Sequence, residues 1–180
     1  MFKKIVLGVL AILIVLVVVL VVLIAMQPED FRVERKATMA APPDAVFAQV
    51  NDFHKWEAWS PWEKLDPNMK RTFEGSESGP GAIYKWAGND KVGEGQMKIL
   101  ETKPNESVKI KLDFIKPFES TSTTDFTFKG DGKETLVTWT MYGKHNFMSK
   151  AMCLIKSMDS MVGPDFEKGL ASMKTIVEKK

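Results

Sequence analysis

Side chains able to perform catalysis or to bind a metal are few and scattered in this sequence. It has two histidines, His54 and His145, and one cysteine, Cys153. Neither histidine has a second histidine or a cysteine at the spacing that zinc ligands require. The motifs of serine hydrolases and of phosphate-binding glycine loops do not occur either. We therefore expect no metal site and no cofactor.

Acid–base catalysis has three further candidates, Glu101, Asp113 and Tyr142. Each would need to face an apolar interior, where desolvation could shift its pKa toward the working pH. The sequence does not favour any of the three. A cyclase, dehydratase or hydrolase acting on an apolar substrate is therefore kept as an alternative function.

Ligand contacts are indicated more strongly, first by the segment WEAWSPWEKLDP. It contains Trp56, Trp59 and Trp62, three of the five tryptophans in the chain. Trp56 and Trp59 have the spacing of one helical face, and Pro61 turns the chain and re-aims Trp62. We expect these rings either to border a ligand cavity or to pack a short helix onto a sheet.

The segment FESTSTTDFTF alternates as a β-strand does. Ser120, Ser122 and Thr124 then share a face with Phe126. If this face lines a cavity, the three hydroxyl groups are contacts for the polar atoms of a ligand. The alternative is a strand at the sheet edge that buries nothing.

Aromatic side chains also share faces in two other predicted strands. Tyr84 and Trp86 lie on one face of IYKW, and Trp139 shares a face with Val137 and Met141. We expect these aromatic rings to face the same interior, as cavity lining or as core.

The helices and strands follow a simple order. A strand over residues 31–39 precedes a short helix over about 43–53, and period-two alternation recurs in six segments between residues 69 and 143. The C-terminal stretch is helical, and Pro164 is expected to end one helix and to begin the next. Three apolar side chains share a face of that last helix: Phe166, Leu170 and Met173.

This order predicts an α+β fold. A curved antiparallel sheet of six to seven strands would surround a long C-terminal helix. The gap between the concave face and the helix is a natural cavity for an apolar ligand.

Residues 5–26 contain no charged or polar side chain. As a helix they would extend roughly 33 Å, and a bilayer core is about 30 Å thick. A cleaved signal peptide is the alternative, but its apolar run is shorter and VVLIAMQP is a poor cleavage site. We predict a signal anchor over residues 1–26, a linker over 27–30 and one domain over 31–180.

Charge suggests the topology. Lys3 and Lys4 precede the apolar run, and positive flanks stay in the cytoplasm. We predict a single-pass membrane protein with a cytoplasmic N-terminus and a periplasmic or other extracytoplasmic domain. Those lysines are two of the 25 basic residues, and the remainder equal the 23 acidic residues in number. The domain is thus formally neutral, and its sequence has no basic stripe or run of Lys and Arg of the kind that nucleic-acid binding needs, so we expect no nucleic-acid partner.

Four segments together resemble a known family: WEAWSPWEKLDP, GAIYKWAGNDKVGEGQMKILETKP, TLVTWTMYG and MVGPDFEKGLASMK. They look like the polyketide cyclase/dehydrase-like branch of the START-like (SRPBCC) superfamily, over roughly residues 31–178. The resemblance implies a helix-grip fold with a deep apolar cavity. Catalytic residues do not come with it.

These observations predict a membrane-anchored START-like domain that binds a lipid or another hydrophobic small molecule. The alternative enzyme would use the same cavity. A protein-interaction domain would be favoured only by a collapsed cavity together with an exposed apolar patch.

Overall fold

The computed structural model describes residues 2–179. It contains five α-helices, two short 3₁₀ turns and seven strands. In chain order the elements are α1 Phe2–Ala25, β1 Asp30–Met39, α2 Pro43–Val50, a 3₁₀ turn Phe53–Lys55, α3 Trp56–Trp59, a 3₁₀ turn Pro61–Lys64, β2 Lys70–Glu74, β3 Ile83–Ala87, β4 Glu94–Lys103, β5 Ser107–Lys116, β6 Ser120–Gly130, β7 Thr135–Lys144, α4 Phe147–Cys153 and α5 Met158–Val177.

The seven strands form one antiparallel sheet in the order β1-β7-β6-β5-β4-β3-β2. Short turns join β2 to β7 consecutively, which produces a meander. All ten residues of β1 pair with β7, from Asp30 opposite Lys144 to Met39 opposite Thr135. The predicted α+β, helix-grip architecture is confirmed, including the upper strand count.

Helix α5 lies on the concave face and packs mainly against β1 and α3. Arg35 on β1 fixes its position, because its guanidinium group pairs with Asp159 at 2.7 Å and with Glu167 at 2.6 Å. Gly163 leaves room for this guanidinium group, which a side chain at that position would displace. The helix is therefore held over one side of the sheet.

The expected helix break at Pro164 is wrong, because α5 runs without interruption from Met158 to Val177. The proline removes one backbone hydrogen bond, but packing against the sheet maintains the helix on both sides. The break falls earlier, between Cys153 and Met158. There Ser157 caps α5 by accepting a hydrogen bond from the backbone N–H of Ser160.

The helix predicted over about 43–53 is also shorter than expected. Helix α2 ends at Val50, and Asp52 takes an extended conformation with φ −125°. Its carboxylate then accepts a hydrogen bond from the backbone N–H of His54 and begins a separate 3₁₀ turn. An Asp side chain competes for backbone groups in this way and so favours a new start over helix continuation.

The two ends of the sheet differ in what they adjoin. We call the end where β1 begins and β7 ends the anchor-proximal end, because α1, the segment predicted to be an anchor, enters there. The turns over 88–93 and 117–119 lie at this end as well. The opposite end, with the β6–β7 turn over 131–134, is called the distal end.

Candidate functional site

The inner face of the sheet is covered unequally. Under α3 and α5, side chains of β1, β6 and β7 are fully buried, and we call this area the packed region. Near the anchor-proximal end of β2–β5, inward-facing apolar side chains remain partly exposed. We call this area the open corner, and its members are Phe73, Trp86, Leu112 and Phe114.

Trp139 is the centre of the packed region. Its ring stacks on Phe166 of α5, with centroids 3.9 Å apart and planes at 7°, and on Phe126 at 4.8 Å. Trp59 meets it edge-on at 5.6 Å. The rings thus fill the space between β7 and α5 with aromatic contacts.

Trp56 and Trp59 belong to this packed region as well. Both are buried, and each indole N–H donates to a carbonyl of α2: Trp56 to Val50 at 3.1 Å and Trp59 to Gln49 at 3.0 Å. These bonds leave no polar group of the two side chains unpaired. Leu170 and Met173 of α5 are buried in the same cluster. For all of these residues, contact with a ligand stays a prediction.

The open corner begins where burial declines along β5. Ile110 is fully buried, Leu112 is half-buried, and Phe114 is 36% exposed. Phe73 on β2 is 39% exposed. A partly exposed aromatic surface on the inner side of a sheet is a candidate binding surface.

Trp86 forms the base of the open corner. Its ring lies on Gly95 of β4, where an added Cβ would come within 2.5 Å of Cζ2. Phe114 meets the ring edge-on at 5.9 Å, and the indole N–H donates to the Val92 carbonyl at 3.0 Å. The hydrogen bond and the glycine fix the ring in place while part of the side chain stays exposed.

A buried carboxylate lies between the two regions. Glu63 accepts a hydrogen bond from the Tyr84 hydroxyl at 2.5 Å and pairs with Arg71 Nε at 2.6 Å. Burial raises the pKa of Tyr84, and the neighbouring Glu63 carboxylate raises it further. The hydrogen bond from Arg71 to Glu63 likewise raises the pKa of Arg71.

Sequence reasoning missed Glu63 and Arg71. A signal was present: Arg71 has the same parity as Phe73, so β2 points a charged side chain inward. An inward charge requires a partner. The sequence does not identify that partner, because Glu63 comes from an irregular segment.

The burial of the hydroxyl groups changes along strand β6. Ser122 and Thr124 are buried on the inner face, whereas Ser120 at the strand start is exposed. Within residues 2–179, Ser122 Oγ and Trp139 Nε1 are buried without a hydrogen-bond partner. Buried polar atoms are rarely left without a partner, so these two atoms are available for a hydrogen bond.

Trp62 lies at the border of the packed region. It is half-buried, and its ring meets Trp139 at 5.9 Å and Phe166 at 6.2 Å, both edge-on. Of the three clustered tryptophans it is thus the one with an exposed edge.

The three acid–base candidates, Glu101, Asp113 and Tyr142, lie at strand positions whose side chains point away from the inner face. Tyr142 donates a hydrogen bond to Asp125 at 3.1 Å. Burial raises the pKa of Asp113, but hydrogen bonds from Thr121, Lys111 and Gln96 outweigh this effect, so the pKa is lowered. Such ion-paired or exposed groups on the convex face are not placed to act on a substrate inside.

Two surface grooves lie outside the open corner. One, of about 580 Å³, is at the distal end between Pro43 and Phe128. The other, of about 350 Å³, lies between β1, β7 and β6, where Ser122 and Tyr142 contribute to its lining. Within residues 2–179 no group of three or more His, Cys, Asp or Glu side chains could hold a metal ion.

Comparison with known proteins now identifies the class of protein. The family model described as "Polyketide cyclase / dehydrase and lipid transport" matches residues 30–178. The chain belongs to this family, and the match confirms the resemblance seen in the sequence. Membership supports a domain that binds a hydrophobic ligand. No curated protein matches the chain significantly.

Solved structures share the fold. Protein CV1439 from Chromobacterium violaceum has a TM-score of 0.58 at 15% identity, covering 85% of this chain and 100% of that chain. The Aha1 dimer from Colwellia psychrerythraea has a TM-score of 0.55 at 15% identity, with coverages of 82% and 96%. The di-domain ARO/CYC BexL from the BE-7585A biosynthetic pathway has a TM-score of 0.62 at 14% identity, with coverages of 89% and 54%. At such identities the likeness shows the fold alone.

Proposed function

We propose that this protein is a membrane-anchored domain that binds a lipid or another hydrophobic small molecule. The open corner is the binding surface and α1 is the anchor. The observation that carries the proposal is the run of partly exposed aromatic side chains on the inner face, at Phe73, Trp86 and Phe114.

The open corner suits an apolar ligand because its rings are already held in place. Trp86 is fixed by its hydrogen bond to Val92 and by the contact with Gly95. A ligand that covers such rings gains about 25 cal/mol for each Å² of apolar surface removed from water. Little ordering of the protein then opposes binding.

The polar part of the ligand has candidate partners deeper in the fold. Ser122 Oγ and Trp139 Nε1 are buried and unpaired among the described residues, and Thr124 lies beside Ser122 on the same face. A carbonyl or hydroxyl of the ligand would pair with these groups. We assign direct contact first to Trp86, Tyr84 and Ser122.

The remaining predicted contacts have three roles in this proposal. Trp62 and Ser120 would border the site through their exposed edges. Thr124 and Trp139 would offer the buried polar groups described above, and the others would form the apolar layer behind the site: Trp56, Trp59, Phe166, Leu170 and Met173.

Helix α1 supplies the membrane attachment in this proposal. The helix Phe2–Ala25 is long and apolar enough to span a bilayer. Residues 26–29 separate α1 from β1 and reach at most about 14 Å. Lys3 and Lys4 favour a cytoplasmic N-terminus, with the domain in the periplasm or another extracytoplasmic space.

An enzyme with the same apolar site is the second candidate function. Its support is the buried Glu63, which contacts Tyr84 on the inner face. Both Glu63 oxygens are already engaged, however, one by Tyr84 and one by Arg71. This engagement favours a structural role and leaves binding as the preferred function.

The test is direct extraction. The full-length chain is purified from membranes in mild detergent, washed, and extracted for mass spectrometry. We expect one class of hydrophobic small molecule, and Trp86→Ala should retain about tenfold less of it, a loss of about 1.4 kcal/mol in binding. Leu136→Ala removes an exposed apolar side chain from the convex face and should retain the wild-type amount.

Two outcomes would oppose the proposal. An empty wild-type protein, or equal retention by the Trp86 and Leu136 variants, contradicts binding at the open corner. A chemically altered molecule in wild type that is unaltered in Glu63→Gln supports the enzyme instead.

A further inference from the structure

The anchor-proximal end exposes apolar side chains that the binding site does not use. They come from the end of β5, from the β5–β6 turn, and from α4 with the residue two positions beyond it. We call them the apolar rim: Ile115, Phe118, Phe147, Met148, Met152 and Ile155. Ile155 is 92% exposed. Apolar groups grouped in this way on a surface mark a contact with a partner or a membrane.

The two segments of the rim are joined to each other. Asn146 Nδ2 donates to the Glu119 carbonyl at 2.9 Å, and Asn146 Oδ1 caps α4 by accepting from the Ser149 N–H at 2.8 Å. The neighbouring His145 N–H donates to the Glu29 carbonyl at 2.7 Å. The rim therefore lies beside the point at which the chain passes from α1 into β1.

The depth of the rim follows from α1. Among the described residues of α1, Ile24 alone is buried, at 5% exposure. It lies where α1 packs against α4. Because Ile24 belongs to the apolar run that would span the membrane, α4 lies level with the last turn of that span. A helix at this depth is at the bilayer surface and not in bulk water.

We propose that the apolar rim is an interfacial docking surface that inserts into the outer leaflet of the bilayer spanned by α1. The partner is the lipid surface itself. The inference rests on the proposed role of α1 as an anchor. Lys150 and Lys156 flank the exposed apolar groups in α4 and directly after it, as basic residues do in helices that lie in the headgroup region.

Docking in this orientation directs the open corner toward lipid. Phe114 of the open corner and Ile115 of the rim are consecutive residues near the end of β5, so the open corner and the rim lie next to each other at the anchor-proximal end. A lipid acyl chain would have only a short distance to cross between the bilayer and the open corner. The ligand class indicated is therefore a membrane lipid rather than a solute from the aqueous phase.

Spin labels on the full-length chain in liposomes of phosphatidylcholine and phosphatidylglycerol test this orientation. Four single-cysteine variants are made in a Cys153→Ser background: Ile155→Cys and Phe118→Cys on the rim, Lys133→Cys at the distal end, and Val15→Cys within α1. Power saturation compares collisions with oxygen, which partitions into lipid, and with a water-soluble nickel complex. The rim labels should show an oxygen-to-nickel ratio several-fold larger than Lys133→Cys, and Val15→Cys the largest ratio.

The possible failures are distinguishable. If Val15→Cys is accessible to nickel, the anchor itself fails and the proposed membrane attachment falls with it. If Val15→Cys reports lipid while both rim labels match Lys133→Cys, only the docking surface is overturned. Spin–spin broadening at the rim that disappears on dilution with unlabelled protein would identify a second copy as the partner and also overturn it.

Discussion

Trp139 in the packed region and Trp86 in the open corner occupy similar sites with different outcomes. Each indole faces inward from a strand and lies against a glycine, Gly169 for Trp139 and Gly95 for Trp86. Phe166 covers Trp139 from α5, whereas Trp86 stays partly exposed. A residue's type and strand face therefore do not decide between buried core and exposed surface. The position of the covering helix decides it.

That position is set at one edge of the sheet. Arg35 draws α5 toward β1 through Asp159 and Glu167. The helix then covers the β1 side of the concave face, and β3 to β5 depend on the short helical segments for cover near the anchor-proximal end. The open corner is the part of the inner face that these helical elements leave partly exposed.

The largest expected difference comes from removing the two indoles. Trp139→Ala should lower the free energy of unfolding by about 3–5 kcal/mol, because the cavity left behind is fully enclosed. Trp86→Ala should lower it by about 1–2 kcal/mol, because that ring is already partly hydrated. Urea unfolding of the full-length chain in detergent, followed by circular dichroism, measures both values. Equal losses would mean that the open corner is core.

Glu63 lies at the border of the packed region and the open corner. The loss of stability when its carboxylate is removed measures how strongly its interactions hold the two regions together. Glu63→Ala leaves the Tyr84 hydroxyl and the Arg71 guanidinium group without their partner, and should lower the free energy of unfolding by about 2–3 kcal/mol. Glu57→Ala is the matched control. Its carboxylate, 72% exposed, lies 4.0 Å from the same arginine and should contribute no more than about 0.5 kcal/mol.

A smaller effect is expected from filling the glycine that contacts Trp139. In Gly169→Ala the new Cβ would lie 2.8 Å from Trp139 Cζ3, and overpacking should exceed the gain in helix propensity by about 1 kcal/mol. In Gly163→Ala the new Cβ would displace the Arg35 guanidinium group from its ion pairs with Asp159 and Glu167. Because both carboxylates are exposed, the lost pairing should be offset by the gain in helix propensity, and stability should stay within about 0.5 kcal/mol of wild type. Thermal unfolding compares the two. A Gly169→Ala protein more stable than wild type would contradict tight packing at Trp139.

The smallest expected effect is the change in stability at high pH that comes from the two tyrosines. The pKa of each is raised above its ordinary value of 10.0, that of Tyr84 by burial and Glu63, and that of Tyr142 by burial and Asp125. A raised pKa in the folded state stabilises the protein fully below about pH 10, and this contribution is lost as the pH rises further.

Absorbance at 295 nm separates the two groups, because each variant leaves one tyrosine in the chain. In Tyr142→Phe the remaining Tyr84 should ionise only as the domain unfolds. In Tyr84→Phe the remaining Tyr142 should ionise at lower pH, before unfolding. The reverse order would place Tyr84 in a more hydrated site than its hydrogen bond to Glu63 indicates.

The sequence predicts the fold well because the fold depends on local alternation. Period two in strands such as β5 defines the inner face, and the turns between strands define the meander. Burial along that face cannot be predicted in the same way. Ile110 and Phe114 have the same parity, yet one is buried and the other exposed, because contacts between distant segments such as Arg35 and Asp159 place α5.

Pro164 shows the same limitation for a helix boundary. Local propensity favours a break at this residue, and packing overrides it in α5. The Glu63–Arg71 pair was missed for a related reason. A charged side chain with inward parity indicates that a partner exists, but the identity of the partner depends on the path of a non-repetitive segment.

The pairing of β1 with β7 has a mechanical consequence. In the proposed membrane attachment α1 leads into β1 through residues 26–29, so a force that pulls the domain from the bilayer would be applied at Asp30 and would act along the strand. All ten residues of β1 are paired with β7, and a load along the strand shears these pairs together instead of opening them one at a time. If α1 is the membrane anchor as proposed, the edge strand would resist detachment by sharing tension along its whole length.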